Sequence, residues 1–289
     1  MKKDLAASIR ARLLNIAKAQ GVDFNQIFVR FALERMLYRM SQSEHADQFL
    51  LKGALLFTLW YDMPHRPTRD ADLLGFGASD LHSIKQTFHD IASIMVADGI
   101  TFDPASVSVE EIRKDAGYTG VRVMISCEIA NARCKTQIDI GFGDAVTPSP
   151  VQAVYPVLLD NLPAPQLRTY PVYTVIAEKL HAIALLGMTN SRLKDYMDLS
   201  VLLDRETLDS HILATAINAT FVRRGMQVPS GVPIGLSDEF ATDPTRKAMW
   251  QSFLKKNELD IVPLANVVTT LRAVLQPILV EAAKLMQSA

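Results

Sequence analysis

Arg69-Asp70-Ala71-Asp72-Leu73-Leu74-Gly75-Phe76-Gly77 is the stretch on which the fold turns. Two aspartates two residues apart run straight into an apolar pair, so the segment reads as a short strand entering a core, not as an acidic surface loop. Residues two apart in a strand leave the same face about 7 Å from one another. Carboxylates at that separation repel by about 2 kcal/mol at an effective dielectric near 20, and by more when buried together. A divalent cation removes the conflict, and oxygen ligands of this kind select a hard ion such as Mg²⁺ or Mn²⁺. For so short a motif the plain alternative is a surface ion network with Arg66 or Arg69.

Upstream, residues 4 to 19 and 26 to 40 carry apolar positions at helical spacing, with Arg30, Glu34, Arg35 and Arg39 between those of the second run. Gln48-Phe49-Leu50-Leu51-Lys52-Gly53-Ala54 reads as an extended entry that becomes a helix at Gly53, where free backbone N–H groups offer a seat for phosphate. Downstream, residues 79 to 99 predict a helix capped by Ser79 or Asp80 and stopped by Gly99. Three strands follow in SVSVEEI, YTGVRVMISCEIA and CKTQIDIGFG. The last of them sets Asp139 on the face opposite Ile138 and Ile140, so a neighbouring strand brings a third carboxylate toward Asp70 and Asp72. Three carboxylates suffice to clamp an attacking and a leaving oxygen through two ions. Helix, strand, helix and meander together predict an α+β fold: a mixed β-sheet flanked by helices.

Six prolines between residues 144 and 171 predict an irregular crossing segment, with a domain boundary near 165. Residues 1–165 form the core, and 166–289 a helical C-terminal domain with helices at 173 to 187, 192 to 204, 209 to 224, 244 to 257 and 262 to 287. On the first of these, Tyr173, Ile176, Ala177, Leu180, Ile183 and Ala184 make the apolar stripe. Lys179 sits on its flank, Glu178 faces away, and His181 lies on the other flank as a packed or surface residue. In the next helix, Asp195 is nearer the edge of the apolar stripe while Asp198 lies nearly opposite it; Arg192 and Lys194 add positive charge. Arg223-Arg224 and Lys255-Lys256 are candidate phosphate contacts for RNA, with plain surface as the commoner reading of each.

The totals bound these readings. The 289 residues are 49% hydrophobic with a formal charge of −1, which supplies a large core and excludes general disorder or a globally basic nucleic-acid surface. Cys127 and Cys134 are too few for a disulfide framework or a zinc site and read as buried thiols in a reducing cytosol. The charged opening MKKDLAASIRARLLNIAKAQG has no signal-peptide core, and no apolar run reaches membrane length, so a cytoplasmic protein without membrane partners is expected.

Four ordered motifs carry a resemblance: Lys52-Gly53-Ala54, Arg66-Pro67-Thr68-Arg69-Asp70-Ala71-Asp72-Leu73, Glu178-Lys179-Leu180-His181-Ala182 and Arg192-Leu193-Lys194-Asp195-Tyr196-Met197-Asp198-Leu199. Over about residues 45 to 205 the chain resembles the AbiEii-type nucleotidyltransferase toxins, the enzyme half of type IV toxin–antitoxin and abortive-infection systems. The resemblance implies a polymerase-β-like nucleotidyltransferase core with a helical C-terminal region. It implies an NTP substrate, Mg²⁺ and a cognate antitoxin encoded nearby, with tRNA as the acceptor in members that modify its 3′ end. It also implies catalytic roles for Asp70, Asp72, Lys179 and Asp195, with metal held at Asp70, Asp72 and Asp139. Lys52, Gly53, Ala54, Arg66, Thr68, Arg192 and Lys194 would bind substrate, Thr68 at a hydroxyl position that some relatives modify. Where many relatives have Gly-Gly or Gly-Ser, this chain has Gly53-Ala54, which removes a hydroxyl contact to phosphate.

The expected reaction is attack by a hydroxyl on the α-phosphate of an NTP with loss of pyrophosphate, Asp139 being the best placed proton acceptor. A small-molecule nucleotidyltransferase of the antibiotic-modifying kind and a non-catalytic RNA- or protein-binding module are the alternatives.

Overall fold

The computed structural model of the chain describes residues 2–61, 68–114 and 118–287. It divides into two compact units: residues 1–143 with 151–169, and residues 144–150 with 170–289.

The first unit opens with helices α1 (Lys2–Gln20) and α2 (Phe24–Ser41), the second capped by Asp23, whose carboxylate accepts from the Asn25 N–H. Strand β1 (Phe49–Lys52) leads through Gly53 into the short helix α3 (Leu55–Tyr61). β2 (Asp70–Gly75) is followed by α4 (Leu81–Ser93), capped by Asp80, and by β3 (Thr101–Phe102), β4 (Ser108–Lys114), β5 (Tyr118–Ile129) and β6 (Ala132–Phe142). β7 (Val151–Val154) and β8 (Gln166–Thr169) complete a mixed sheet in the order β3-β5-β6-β2-β1-β8-β7, with β4 also on β5. β2 is parallel to β6 and antiparallel to β1. Alternation sends Val121, Val123, Ile125, Ile138 and Ile140 to one buried face, against which α1, α2 and α4 pack.

Two expectations need correction here. The proline-rich stretch is not merely a crossing segment, because β7 and β8 pair within it and β8 joins the edge of β1. The helix after β2 stops at Ser93, well short of Gly99. Its expected last turn is unwound around Arg39, which takes the Asp98 carboxylate with both terminal nitrogens at 2.7 and 3.1 Å and also donates to the carbonyls of Ile94 and Ile100. On α2 the charged residues Glu34, Arg35 and Arg39 between the apolar positions are themselves buried with partners, Glu34 accepting from the Leu158 N–H and Arg35 donating to the Pro163 carbonyl. Burying such groups is costly unless they are paired, and Arg35 Nε also stands 3.0 Å from Glu34 Oε1.

The second unit holds α5 (Val172–Leu186), α6 (Leu193–Arg205), α7 (Ser210–Arg223), α8 (Asp238–Thr242), α9 (Pro244–Lys256) and α10 (Leu264–Gln287). Val172–Thr189 and Leu264–Leu285 are long and apolar enough by length and composition alone to cross a membrane, a test that core helices also pass. Their apolar positions recur at helical spacing, as in Leu264, Val268, Leu271, Leu275, Leu279 and Ala282, and pack against α6, α7 and α8.

Candidate active site

The register of four strands builds the site. Lys52 on β1 pairs with Asp72 on β2, Asp72 with Asp139 on β6, and Asp139 with Arg122 on β5. Directly opposed residues share a face, so cation, carboxylate, carboxylate and cation stand in one row across the sheet. Asp70, two residues before Asp72, shares that face beside Gln137.

Gly53 shapes one end. It has φ +72°, and a Cβ built there would overlap the Asp72 carboxylate at Oδ2, with the Asp72 Cβ and Cγ at 2.8 and 2.9 Å. Only glycine meets both demands, the left-handed backbone and the carboxylate lying on it. The helix begins at Leu55 rather than at Gly53 and is 7 residues long, so the expected seat at a helix start becomes a turn on which Asp72 rests. Thr68 Oγ1 donates to Asp70 Oδ1 at 2.7 Å. Lys52 is buried beside Asp72, whereas Ala54 is half-buried. Arg66 lies outside the described residues.

At the other end Arg122, which the sequence reading passed over, grips Asp139. Its Nε and Nη2 donate to Oδ1 and Oδ2, each at 2.9 Å, and Gln137 Nε2 adds a bond to Oδ1 at 3.2 Å. The hydrogen bond to Asp139 keeps the guanidinium above its ordinary value. A signal existed: the alternation of β5 puts Arg122 on the face opposite Val121 and Val123, as the alternation of β6 puts Asp139 opposite Ile138 and Ile140.

The three carboxylates share a face, but their oxygens do not all lie within 4.8 Å of one another. Among the described residues only Glu44, His45 and Asp90 bring three ligand atoms within 4.8 Å of one another, and they stand elsewhere on α4 and the turn after α2. Asp70, Asp72 and Asp139 nevertheless match a hard divalent cation in chemistry: oxygen donors, two from one strand face and one in register beside them.

The second unit has its own charged cluster. Lys179 Nζ donates to Asp195 Oδ1 at 2.8 Å and to Asp198 Oδ2 at 2.6 Å, while Arg192 Nε donates to Asp195 Oδ2 at 2.7 Å. Both aspartates are 0% exposed. Asp198 therefore does not face away from the apolar stripe; it turns inward because Lys179 on α5 offers it a counter-charge. Burial pushes the Asp195 carboxyl up, but Lys179 and Arg192 outweigh it and hold it below the usual carboxylate range. Lys194 is exposed. Glu178, expected to face away, accepts from Tyr170 Oη at 3.2 Å and pairs with Arg224 at 3.2 Å. Arg224 also grips Asp144 at 2.9 Å, which removes it from the surface expected for an RNA contact; Arg223, Lys255 and Lys256 are exposed. His181 is packed edge-on against Phe221, and burial, with Arg224 nearby, lowers its imidazole to about 4, leaving it neutral.

A sequence model of the family described as "Nucleotidyl transferase AbiEii toxin, Type IV TA system" matches residues 35–276. No curated protein matches the chain. Among solved structures, one described as a candidate nucleotidyltransferase from H. pylori is 14% identical with a TM-score of 0.50, over 92% of this chain and 98% of that one. JHP933 from Helicobacter pylori is 14% identical with a TM-score of 0.49, over 92% of this chain and 95% of that one. At that identity the first likeness speaks for the fold alone.

Proposed function

Because the chain belongs to the AbiEii nucleotidyltransferase toxin family of type IV toxin–antitoxin systems, we propose that it moves an NMP from an NTP onto an acceptor hydroxyl, most fittingly the 3′ end of tRNA. The observation that carries this reading is the row of Lys52, Asp72, Asp139 and Arg122 with Asp70 beside it, four strands converging charged groups on one face of the sheet.

Asp70 and Asp72 would hold the divalent cation, Mg²⁺ or Mn²⁺, with Asp139 as the third carboxylate. When bound, that ion supplies charge neutralisation at the phosphate and acidifies the attacking hydroxyl. The chain's own residues prepare the ground. Thr68 fixes one oxygen of Asp70, and Gly53 gives Asp72 room to lie against the backbone. Lys52 offsets the charge of Asp72 from the neighbouring strand, so the pair on β2 folds without relying on the ion alone. Lys179 and Asp195 carry the roles that their motifs hold in the family, Lys179 toward a phosphate and Asp195 as the later essential carboxylate, with Arg192 and Lys194 adding positive charge. The setting is the cytoplasm, and the family's cognate antitoxin is the protein partner.

Purified protein incubated with each labelled NTP, Mg²⁺, total tRNA and small hydroxyl acceptors, beside an Asp70→Ala control, tests the reading. Label entering tRNA only in the wild type supports it. Label confined to a small acceptor replaces tRNA as the substrate, and no transfer under any condition ends the enzymatic reading.

A further inference from the structure

Arg122 is the one member of the charged row to which the proposed reaction gives no task. A carboxylate oxygen has two in-plane lone pairs. Oδ1 of Asp139 accepts from both Arg122 Nε and Gln137 Nε2, so its pairs are taken; Oδ2 accepts from Arg122 Nη2 and retains one. The backbone register sets Asp139 directly beside Asp72, yet both oxygens of Asp139 are engaged by Arg122 on β5. The side chain of Asp139 has been turned toward β5.

We propose that Arg122 is a positioning residue, a resident counter-ion that engages both oxygens of Asp139, competes with a divalent cation for them and so sets how tightly the site takes that ion. This rests on the reading of Asp70, Asp72 and Asp139 as metal ligands. Two features let the arginine release its grip. It is 33% exposed, so water can solvate the guanidinium when it leaves Asp139. It also has another acceptor at hand: Glu110 stands opposite it on β4, with Oε1 3.9 Å from Arg122 Nη1. The planar fork matters as much as the charge, because two parallel bonds occupy both carboxylate oxygens where a lysine ammonium would not.

Mn²⁺ binding to the full chain without nucleotide, followed by calorimetry and by the electron paramagnetic resonance signal of free Mn²⁺, tests this. Arg122→Gln is expected to bind Mn²⁺ about fivefold or more tightly than wild type, since a positive charge leaves and a carboxylate is freed. The double variant Arg122→Gln with Asp139→Asn is expected to bind as Asp139→Asn alone does, because the arginine acts through that carboxylate. Affinity equal to or weaker than wild type in Arg122→Gln overturns the proposal. If that variant does not fold, Arg122→Lys replaces it, with about twofold tighter binding expected and unchanged or weaker binding overturning the idea. Asp70→Asn with Asp72→Asn checks the underlying reading separately: wild-type protein that binds no Mn²⁺, or binding that survives this pair of substitutions, sinks the metal assignment and the proposal with it.

Discussion

Gly53→Ala asks the most of a single methyl group. The backbone there is left-handed, which costs an alanine about 1 kcal/mol, and the new carbon displaces the Asp72 carboxylate. Nucleotidyl transfer is expected to fall at least about a hundredfold, the scale of losing a positioned charged group, while thermal unfolding shifts by only a few degrees; transfer rates beside a melting curve check this. Glu34 makes a different prediction. Burial raises its carboxyl from 4.5 to about 7 against the pull of Arg35. The folded state thus binds this proton more tightly than the unfolded one. Its contribution to stability is full below pH 4.5 and is lost as pH rises through 7. His181 runs the opposite way, contributing above 6.5 and losing that contribution as pH falls through 4. Urea midpoints should therefore show Glu34→Gln changing less than wild type between pH 5 and pH 8, by roughly 3 kcal/mol at most. An unchanged pH slope in the variant would remove Glu34 as its source.

At the level of elements, Lys179 is both a motif residue and a structural keystone of α5 and α6. Lys179→Met leaves Asp195 and Asp198 buried without their shared cation, a loss expected to cost about 3–5 kcal/mol. Its inactivity would then be read with a melting curve in hand, in contrast to Asp70→Asn, whose residue is half-buried with one hydroxyl partner and whose fold is expected to survive. The β5 and β6 hairpin offers a chemical test. Cys127 and Cys134 are opposed in register with sulfurs 3.1 Å apart, and directly opposed residues have Cα atoms about 4.5–5.5 Å apart, within disulfide reach. Diamide treatment should remove both thiols from Ellman titration and lower the mass by about the two hydrogens that such a bond loses; two thiols still titrating would show that the hairpin does not close. The same elements show what the sequence made legible. Alternation located β5 and β6, and with them Asp139, because a period of two is readable from one strand. Arg122 escaped because its meaning lies in a partner 17 positions away, and β7 and β8 escaped because four-residue strands between prolines carry almost no periodicity. Asp98 was read as part of a helix for a similar reason: its tie to the buried Arg39 is a tertiary contact that overrides local propensity.

For the whole molecule, the family places a toxin beside an antitoxin, and the charged row gives a way to separate activity from mere overexpression. Induced wild-type chain is expected to arrest growth and the Asp70→Asn chain to leave it unaffected at equal abundance, scored by colony counts with an immunoblot; arrest by both would detach toxicity from the carboxylates. The fold itself follows from patterning at large: amphipathic helices, a strand meander and a helical remainder are all visible as periodicity, whereas the allotment of residues 144–150 to the second unit is not. Thr147 exchanges hydrogen bonds with Thr174, and Asp144 holds Arg224, so a few residues ahead of β7 belong with helices that come later in the chain.

That allotment makes the polypeptide pass from one unit to the other three times, after residues 143, 150 and 169. No single scission yields two whole fragments: a gene ending after residue 169 still encodes a loop whose partners are missing, and one starting at 170 lacks it. Shortening the coding region from its end should therefore give abrupt loss of soluble product rather than a stable shorter form, and anyone wishing to produce the helical part alone would have to graft residues 144–150 onto it by circular permutation.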